Sequence, residues 1–371
     1  MNTADMRLCL SLHSIPTLSD ALLSRLFLHY GSPKAIWEST PDEWALLGAK
    51  RETIVAMKST LHSNSFPVDI DGQLELLDKL GAQILPLTDE AYPALLRTIY
   101  DPPPLLYVRG DASLLQEAQL AVVGSRKASP AGLRTTRTLS TALVRAGLHI
   151  CSGLALCVDG EAHRAALAAG GASIAVMATG IDQVYPHCHA ALAQELASSG
   201  ALVTEYPPGC PPERYRFPQR NRILSGLSLG VLVVEAALRS GSLITAGTAL
   251  EQGREVFTCP WAMFHEGGRG CLRLIRDGAK MVECVEDILS ELGPLYTLQE
   301  SLAPEGTKAI IGAAEMPAGQ QEIFSMIGYE AASVDMLVEH SGLPVARVMA
   351  ALSTLELQGK ICRFSGGYIH C

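Results

Sequence analysis

Several signatures that would assign a chemistry at once are missing from this sequence. Its ten cysteines stand at 9, 151, 157, 188, 210, 259, 271, 284, 362 and 371 with no Cys-x-x-Cys pair. That spacing offers neither a disulfide framework nor a zinc ribbon, and predicts reduced, mostly buried thiols. His187-Cys188-His189 is the tightest ligand-type cluster. Adjacent residues rarely converge on one ion, so it is expected to be a solvated helix start, and no metal site is expected. No window approaches the roughly 18 unbroken apolar residues of a membrane span. The N-terminus, MNTADMRLCLSLHS, lacks the basic start and small-residue cleavage site of a signal peptide, and a cytoplasmic protein with no membrane partner is expected. Neither Gly-x-Gly-x-x-Gly nor a Walker A loop occurs. No nucleophile, carboxylate pair or ligand set is arranged for a chemical step, so no catalytic residue and no cofactor are expected.

What is present is length and apolar content. The 371 residues exceed one ordinary core, and 48% hydrophobic residues can bury two or three. The net charge of −9 is unevenly spread. Residues 124 to 282 carry 16 Lys and Arg against 11 Asp and Glu, and the rest of the chain carries 13 against 27. A basic island in an acidic chain suits a local phosphate-binding surface, because screening confines the electrostatic effect to about one Debye length.

Residues 1–65 are predicted as short helices, a domain of SAM or helix-hairpin-helix type, with Thr40 capping a helix that Pro41 can begin. The triplet Pro102-Pro103-Pro104 fits neither a helix nor a central strand. Beyond it, strands are expected at 120–123, 149–151, 173–177, 201–205, 230–234, 255–259 and 280–283. Helices are expected at 130–146, 160–169, 187–198, 243–253 and 270–278. Apolar runs alternating with amphipathic helices predict an α/β, doubly wound, mostly parallel sheet over residues 66–295. Residues 296–319 are expected to be a linker. Residues 320–371 are expected to form three helices and a Gly366-Gly367 hairpin, a winged helix.

Candidate binding residues lie at the loops that leave these strands, where backbone N–H groups meet anions. Gly124 allows close approach, Ser125 offers a hydroxyl and Arg126 a forked cation. Ser152 and Gly153 follow the next strand; Asp159 and His163, a turn apart, are expected to cap and pack. The most informative stretch is Arg214-Tyr215-Arg216-Phe217-Pro218-Gln219-Arg220-Asn221-Arg222. Four arginines interleaved with two rings are what a single strand requires, cations for its backbone and faces for its bases. Ser240, Gly241, Ser242 and Thr245 form a further phosphate cradle at a helix start. Glu235 stands beside it, suited to a sugar hydroxyl or to orienting Arg222 or Arg239.

In these residues the sequence resembles the DprA/Smf family. The likeness runs in order through Tyr92-Pro93, Asp101-Pro102-Pro103, Gly124-Ser125-Arg126, Ser152-Gly153-Leu154-Ala155, Asp159, Ala162-His163, Gly180 and Tyr185-Pro186. It continues through Glu205, Phe217-Pro218, Arg220-Asn221-Arg222, Glu235-Ala236, Ser240-Gly241-Ser242, Thr245-Ala246, Gly253-Arg254 and Leu274-Ile275 to Gly278-Ala279, about 200 residues in all. The resemblance implies an extended Rossmann-like fold that binds single-stranded DNA, protects it in natural transformation and helps load the recombinase RecA, usually as a homodimer. It also implies DNA contacts at Arg126, Arg214, Phe217, Arg220 and Asn221, with Ser125, Ser152 and Ser240 to Ser242 along the phosphate path.

Three positions depart from the pattern. Leu156-Cys157-Val158 stands where the family has a basic residue, Gly and Ile. Trp261 replaces a Gly after Pro260, offering a stacking surface, and Gly270-Cys271-Leu272-Arg273 differs from the usual small polar residue before Leu274. The segment from Pro317 carries Arg347, Lys360 and Arg363 against five acids, which favours a protein contact over DNA for the winged helix. The alternative function is a nucleotide-binding or phosphoribohydrolase-like protein, faintly suggested by Gly247-Thr248-Ala249-Leu250-Glu251.

Overall fold

The structure, a computed structural model, describes residues 3–63, 68–302, 323–324, 326–327, 332–357, 361–364 and 367–370. The chain divides into two compact units, Met1–Ile310 and Ile311–Cys371.

The first unit opens with six helices: α1 (Thr3–His13), α2 (Asp20–Tyr30), α3 (Pro33–Glu38), α4 (Pro41–Leu46), α5 (Arg51–Ser63) and α6 (Ile70–Leu80). Ser19 and Ser32 cap α2 and α3, and at α4 Thr40 and Glu43 form a reciprocal capping box. The buried residues Cys9, Leu23, Phe27 and Trp44 share one core with Leu105 to Val108 of the sheet. The helices are thus continuous with the sheet rather than a separate globule.

Nine strands follow: β1 (Ala82–Pro86), β2 (Leu105–Gly110), β3 (Gln119–Val123), β4 (His149–Ser152), β5 (Ser173–Val176), β6 (Ala201–Thr204), β7 (Gly230–Val233), β8 (Glu255–Thr258) and β9 (Lys280–Met281). Their order is β1-β2-β6-β5-β4-β3-β7-β8-β9. The pairs from β6 through β9 are parallel, while β1–β2 and β2–β6 are antiparallel. The intervening helices are α7 (Ala94–Arg97), α8 (Pro130–Arg145), α9 (Val158–Ala168), α10 (Ala190–Ser199), α11 (Arg216–Leu227), α12 (Gly241–Glu251), α13 (Arg269–Arg276) and α14 (Val285–Leu302).

Alternate residues of β3 enter different cores. Leu120 and Val122 join α8, α9 and α14, and Ala121 and Val123 join α11, α12 and the N-terminal helices. Helices therefore cover both faces of a doubly wound, mostly parallel sheet, as the alternating pattern predicts. The chain leaves β3 toward β4 on one side and later returns to β7 on the other, so a crevice opens beyond the carboxyl ends of β3 and β7.

Two expectations need correction. The linker expected from residue 296 is helical as far as Leu302, because leucines at 295, 298 and 302 continue the helical period of α14; its remainder lies outside the described residues. The run from Arg216, not assigned as a helix from the sequence, is α11. Pro218 falls in its first turn, where a missing N–H costs nothing.

In the second unit α15 (Val334–Ser341), α16 (Val345–Leu357) and the hairpin β10 (Ile361–Phe364) with β11 (Gly367–His370) enclose Leu337, Val348, Leu352, Leu355 and Tyr368. The helix expected at 320–328 lies largely outside the described residues.

Candidate nucleic-acid groove at the sheet edge

At the crevice lies a groove of about 850 Å³. Of the residues singled out from the sequence, it brings together Gly124, Ser125, Arg126, Arg214, Phe217, Arg220, Asn221, Ser240, Gly241, Ser242 and Thr245. Three elements make the walls. The β3–α8 loop carries Gly124 to Lys127; a Cβ on Gly124 would lie 2.6 Å from Val158, so only glycine lets this loop sit on α9. The α12 N-terminus is capped by Ser240, which accepts the Ser242 N–H at 3.3 Å, and its first turn, Gly241 to Ile244, lies in the groove wall with the positive end of the helix dipole. Helix α11 supplies Phe217, Arg220, Asn221 and Leu224, spaced i, i+3, i+4, i+7 along one stripe.

The charges at the rim are Arg126, Lys127, Arg214 and Arg239, all exposed. Arg126 lies over the Phe217 ring at 5.2 Å, and Phe217 meets Tyr185 at 5.6 Å and 59°. The groove therefore offers a layered guanidinium and two rings beside cations and a helix start.

Beneath the rim, Arg220 is 3% exposed. Its Nη1 donates to Gly153 O at 2.9 Å and to Val176 O, and Asp159 lies beside it. Burial pulls the Arg220 guanidinium below its ordinary range and pushes the Asp159 carboxyl up. Asp159 accepts the Gly153 and Ala155 N–H groups at 3.2 and 3.3 Å. The pair forms a buried floor tying β4, β5, α9 and α11 together. Gly153 is where the pair passes, since a Cβ there would stand 2.6 Å from Arg220 and 2.8 Å from Asp159.

Three expected groove residues are placed elsewhere. Ser152 is buried and donates to Val122 O at 2.6 Å, joining β4 to β3 instead of facing a phosphate. Gly153 belongs to the floor. Arg222, two positions from Arg220 on a helix and so on another face, pairs with Asp101 at 2.9 Å and Glu205 at 2.5 Å, in a second cavity of about 250 Å³ against α2. Glu235 consequently orients neither Arg222 nor Arg239. Its carboxylate accepts the Ser129 N–H at 3.1 Å and hydroxyl at 2.7 Å, its carbonyl accepts the Ser125 N–H at 2.7 Å, and it locks the β3–α8 loop.

Trp261 is likewise no stacking surface for a ligand in the groove: its indole donates to Val234 O at 2.8 Å and lies on His265. His189 is not solvated but buried, donating from Nδ1 to Leu154 O at 2.9 Å. His163 packs, as expected, with Nδ1 on Ser173 Oγ at 2.7 Å, and burial lowers its pKa to about 3. Cys157, where the resembling pattern has glycine, holds φ +63° and ψ −106°, a conformation suited to glycine. Among the described residues no His, Cys, Asp and Glu cluster could hold a metal, and no helix is long and apolar enough to cross a membrane. Of the described cysteines, Cys9, Cys151, Cys259 and Cys271 are buried and Cys188 is exposed.

Lys127, Tyr185 and Arg239 are groove residues that the sequence reading did not assign. Lys127 follows Arg126 directly, and Tyr185 precedes Pro186 with no cation or aromatic ring beside it in sequence; only the fold carries Tyr185, 32 positions away, to Phe217.

Comparison with known proteins agrees with this architecture. The family model described as DNA recombination-mediator protein A matches residues 83–293, and the DprA winged helix domain matches residues 312–367. The chain is 42% identical over 322 residues to Protein Smf of Escherichia coli, covering 86% of each. It resembles the X-ray structure of DNA processing protein A from Streptococcus pneumoniae with TM-score 0.67 and 34% identity, over 77% of this chain and 97% of that one. A Helicobacter pylori DNA processing protein A, described for its single-stranded DNA binding mode, aligns with TM-score 0.53 and 29% identity, over 58% of this chain and 97% of that one. The mostly parallel sheet, the helical N-terminal region and the winged helix are thus one family's architecture, and the chain belongs to the DprA/Smf family of DNA-processing proteins.

Proposed function

We propose that the groove holds single-stranded DNA without regard to sequence and performs no chemical step on it. The observation that carries this reading is the Arg126–Phe217–Tyr185 layer, set among Lys127, Arg214 and Arg239 and facing the α12 N-terminus. Cations and the positive end of a helix suit phosphates, and two rings suit bases of any identity. Two carboxylates by the groove are occupied, Asp159 by the Gly153 and Ala155 N–H groups and Glu235 by Ser129. That occupation favours binding over the phosphoribohydrolase-like alternative, which needs a carboxylate free to act. Single-strand binding described for the Helicobacter pylori relative supports the same reading.

The finer parts of the proposal are a cytoplasmic homodimer that shields incoming strands in natural transformation and passes them to RecA. These rest on the family resemblance. The winged helix, with its surplus of acids, is the part assigned to protein contact.

Fluorescence anisotropy of labelled oligo-dT at several salt concentrations tests the core of the reading. Log affinity is expected to fall linearly with log salt, and Arg126→Ala is expected to reduce that slope by about one. Salt-independent binding, or release of free base from nucleoside monophosphates, would reject it.

A further inference from the structure

The loop from Cys259 to Gly268, between β8 and α13, lines the groove through Gly267. Its fold is fixed at several points. The Trp261 indole donates to Val234 O at 2.8 Å and stacks on His265 with ring centroids 4.6 Å apart at 29°. The His265 N–H donates to Ala262 O and the Gly268 N–H to His265 O, both at 2.9 Å, and the Gly270 N–H to Ala236 O at 2.7 Å. His265 Nε2 lies 3.5 Å from the Glu235 carboxylate, the same group that locks the β3–α8 loop. A Cβ on Gly268 would collide with the Trp261 ring, so the loop closes tightly on its own indole.

A loop so well anchored nevertheless presents Met263 and Phe264 at its tip, 71% and 87% exposed. An aromatic ring held in water on a fixed support suits a partner with a flat face. The foot of the loop lines the same groove as Lys127 and Arg239, while Arg269 just after it is paired with exposed Glu266 at 3.3 Å. A polyanion held by Lys127 and Arg239 and leaving the groove at Gly267 would do so beside the loop that carries the ring three residues away.

We propose that Phe264 is a second stacking platform, taking a base of the single strand after it has left the Tyr185–Phe217 pair. This rests on the proposed strand-binding function and extends its path beyond the groove. Trp261, one of the residues that depart from the family pattern, then serves as the strut that presents Phe264.

The test compares full-length wild type, Phe264→Ala, Phe264→Tyr and the distant surface variant Leu46→Ala for binding to labelled oligo-dT of increasing length at three salt concentrations. For oligonucleotides long enough to pass the groove, Phe264→Ala is expected to bind about tenfold more weakly, or about 1.4 kcal/mol. Its salt slope should be unchanged, because a ring releases no counterions. Phe264→Tyr and Leu46→Ala are expected to match wild type, and the loss should vanish for the shortest oligonucleotides. Phe264→Trp adds a direct readout: oligo-dT should quench its fluorescence beyond the change given by the three native tryptophans. Equal affinity of Phe264→Ala and wild type at every length, or a loss accompanied by a changed salt slope, would overturn the platform while leaving strand binding in the groove intact. No binding by wild type would instead overturn the strand-binding function, and the platform with it.

Discussion

Arg220 carries its charge into the interior, and that alters what its removal would measure. Ala at this position would leave the Gly153 and Val176 carbonyls without their donor and remove the cation beside buried Asp159, so Arg220→Ala is expected to cost about 2–3 kcal/mol in denaturant unfolding. Exposed Arg126→Ala should unfold like wild type and report only on binding. His163 gives a pH prediction. Its folded pKa of about 3 lies below the ordinary 6.5, so between those values the unfolded chain holds one proton more than the folded one. The histidine's contribution is therefore complete above pH 6.5 and falls by about 1.4 kcal/mol per unit on acidification toward pH 3. His163→Asn, whose amide can stand in for Nδ1 toward Ser173, should flatten that slope in urea titrations from pH 6.5 to 4. Cys157 gives a third. Cys157→Gly is expected to raise stability by about 1 kcal/mol by relieving its φ of +63°, seen as a higher urea midpoint at unchanged m-value.

At the scale of elements, α11 explains why the arginine-rich stretch could be recognised but not resolved. As a string, residues 214–222 read as one basic patch. Wound at 100° per residue, they divide between destinations. Phe217 and Asn221 face the groove, Arg220 goes to the floor, Arg222 joins Glu205 and Asp101, and Arg216 lies 5.0 Å from the Tyr206 ring. Gln252 at the end of α12 donates to Arg222 O at 3.0 Å and accepts from Ser225 Oγ at 2.7 Å, fixing one wall against the other. The start of α8 carries the element's prediction. A Cβ at Gly132 would collide with the Glu235 carboxylate. Gly132→Ala is thus expected to expel that carboxylate from Ser129, loosen the β3–α8 loop and weaken oligo-dT binding several-fold, although it touches no groove residue. Anisotropy alongside thermal unfolding would separate this from global destabilisation.

For the molecule as a whole, the Met1–Ile310 unit has one core reaching from α1 to β8 and a second on the other face of the sheet, while Ile323, Leu337, Val348 and Leu355 form a core of their own. Deleting residues 311–371 is expected to leave the melting temperature and oligo-dT affinity of the remainder unchanged, and, on the proposed function, to impair the passing of strands to RecA. The sequence by itself determined the alternation of strand and helix, the winged-helix outline and the loops that carry Gly124 to Arg126, Phe217 and Ser240 to Ser242. Those follow from period, caps and small residues, which are local properties of the chain. Tertiary structure alone decided that Ser152, Gly153 and Arg222 leave the groove, that Arg220 lies beneath it, and that Lys127, Tyr185 and Arg239 complete it. A side chain's destination depends on which face of its element meets which neighbour, and that is fixed only when strands distant in sequence pair and bury their helices.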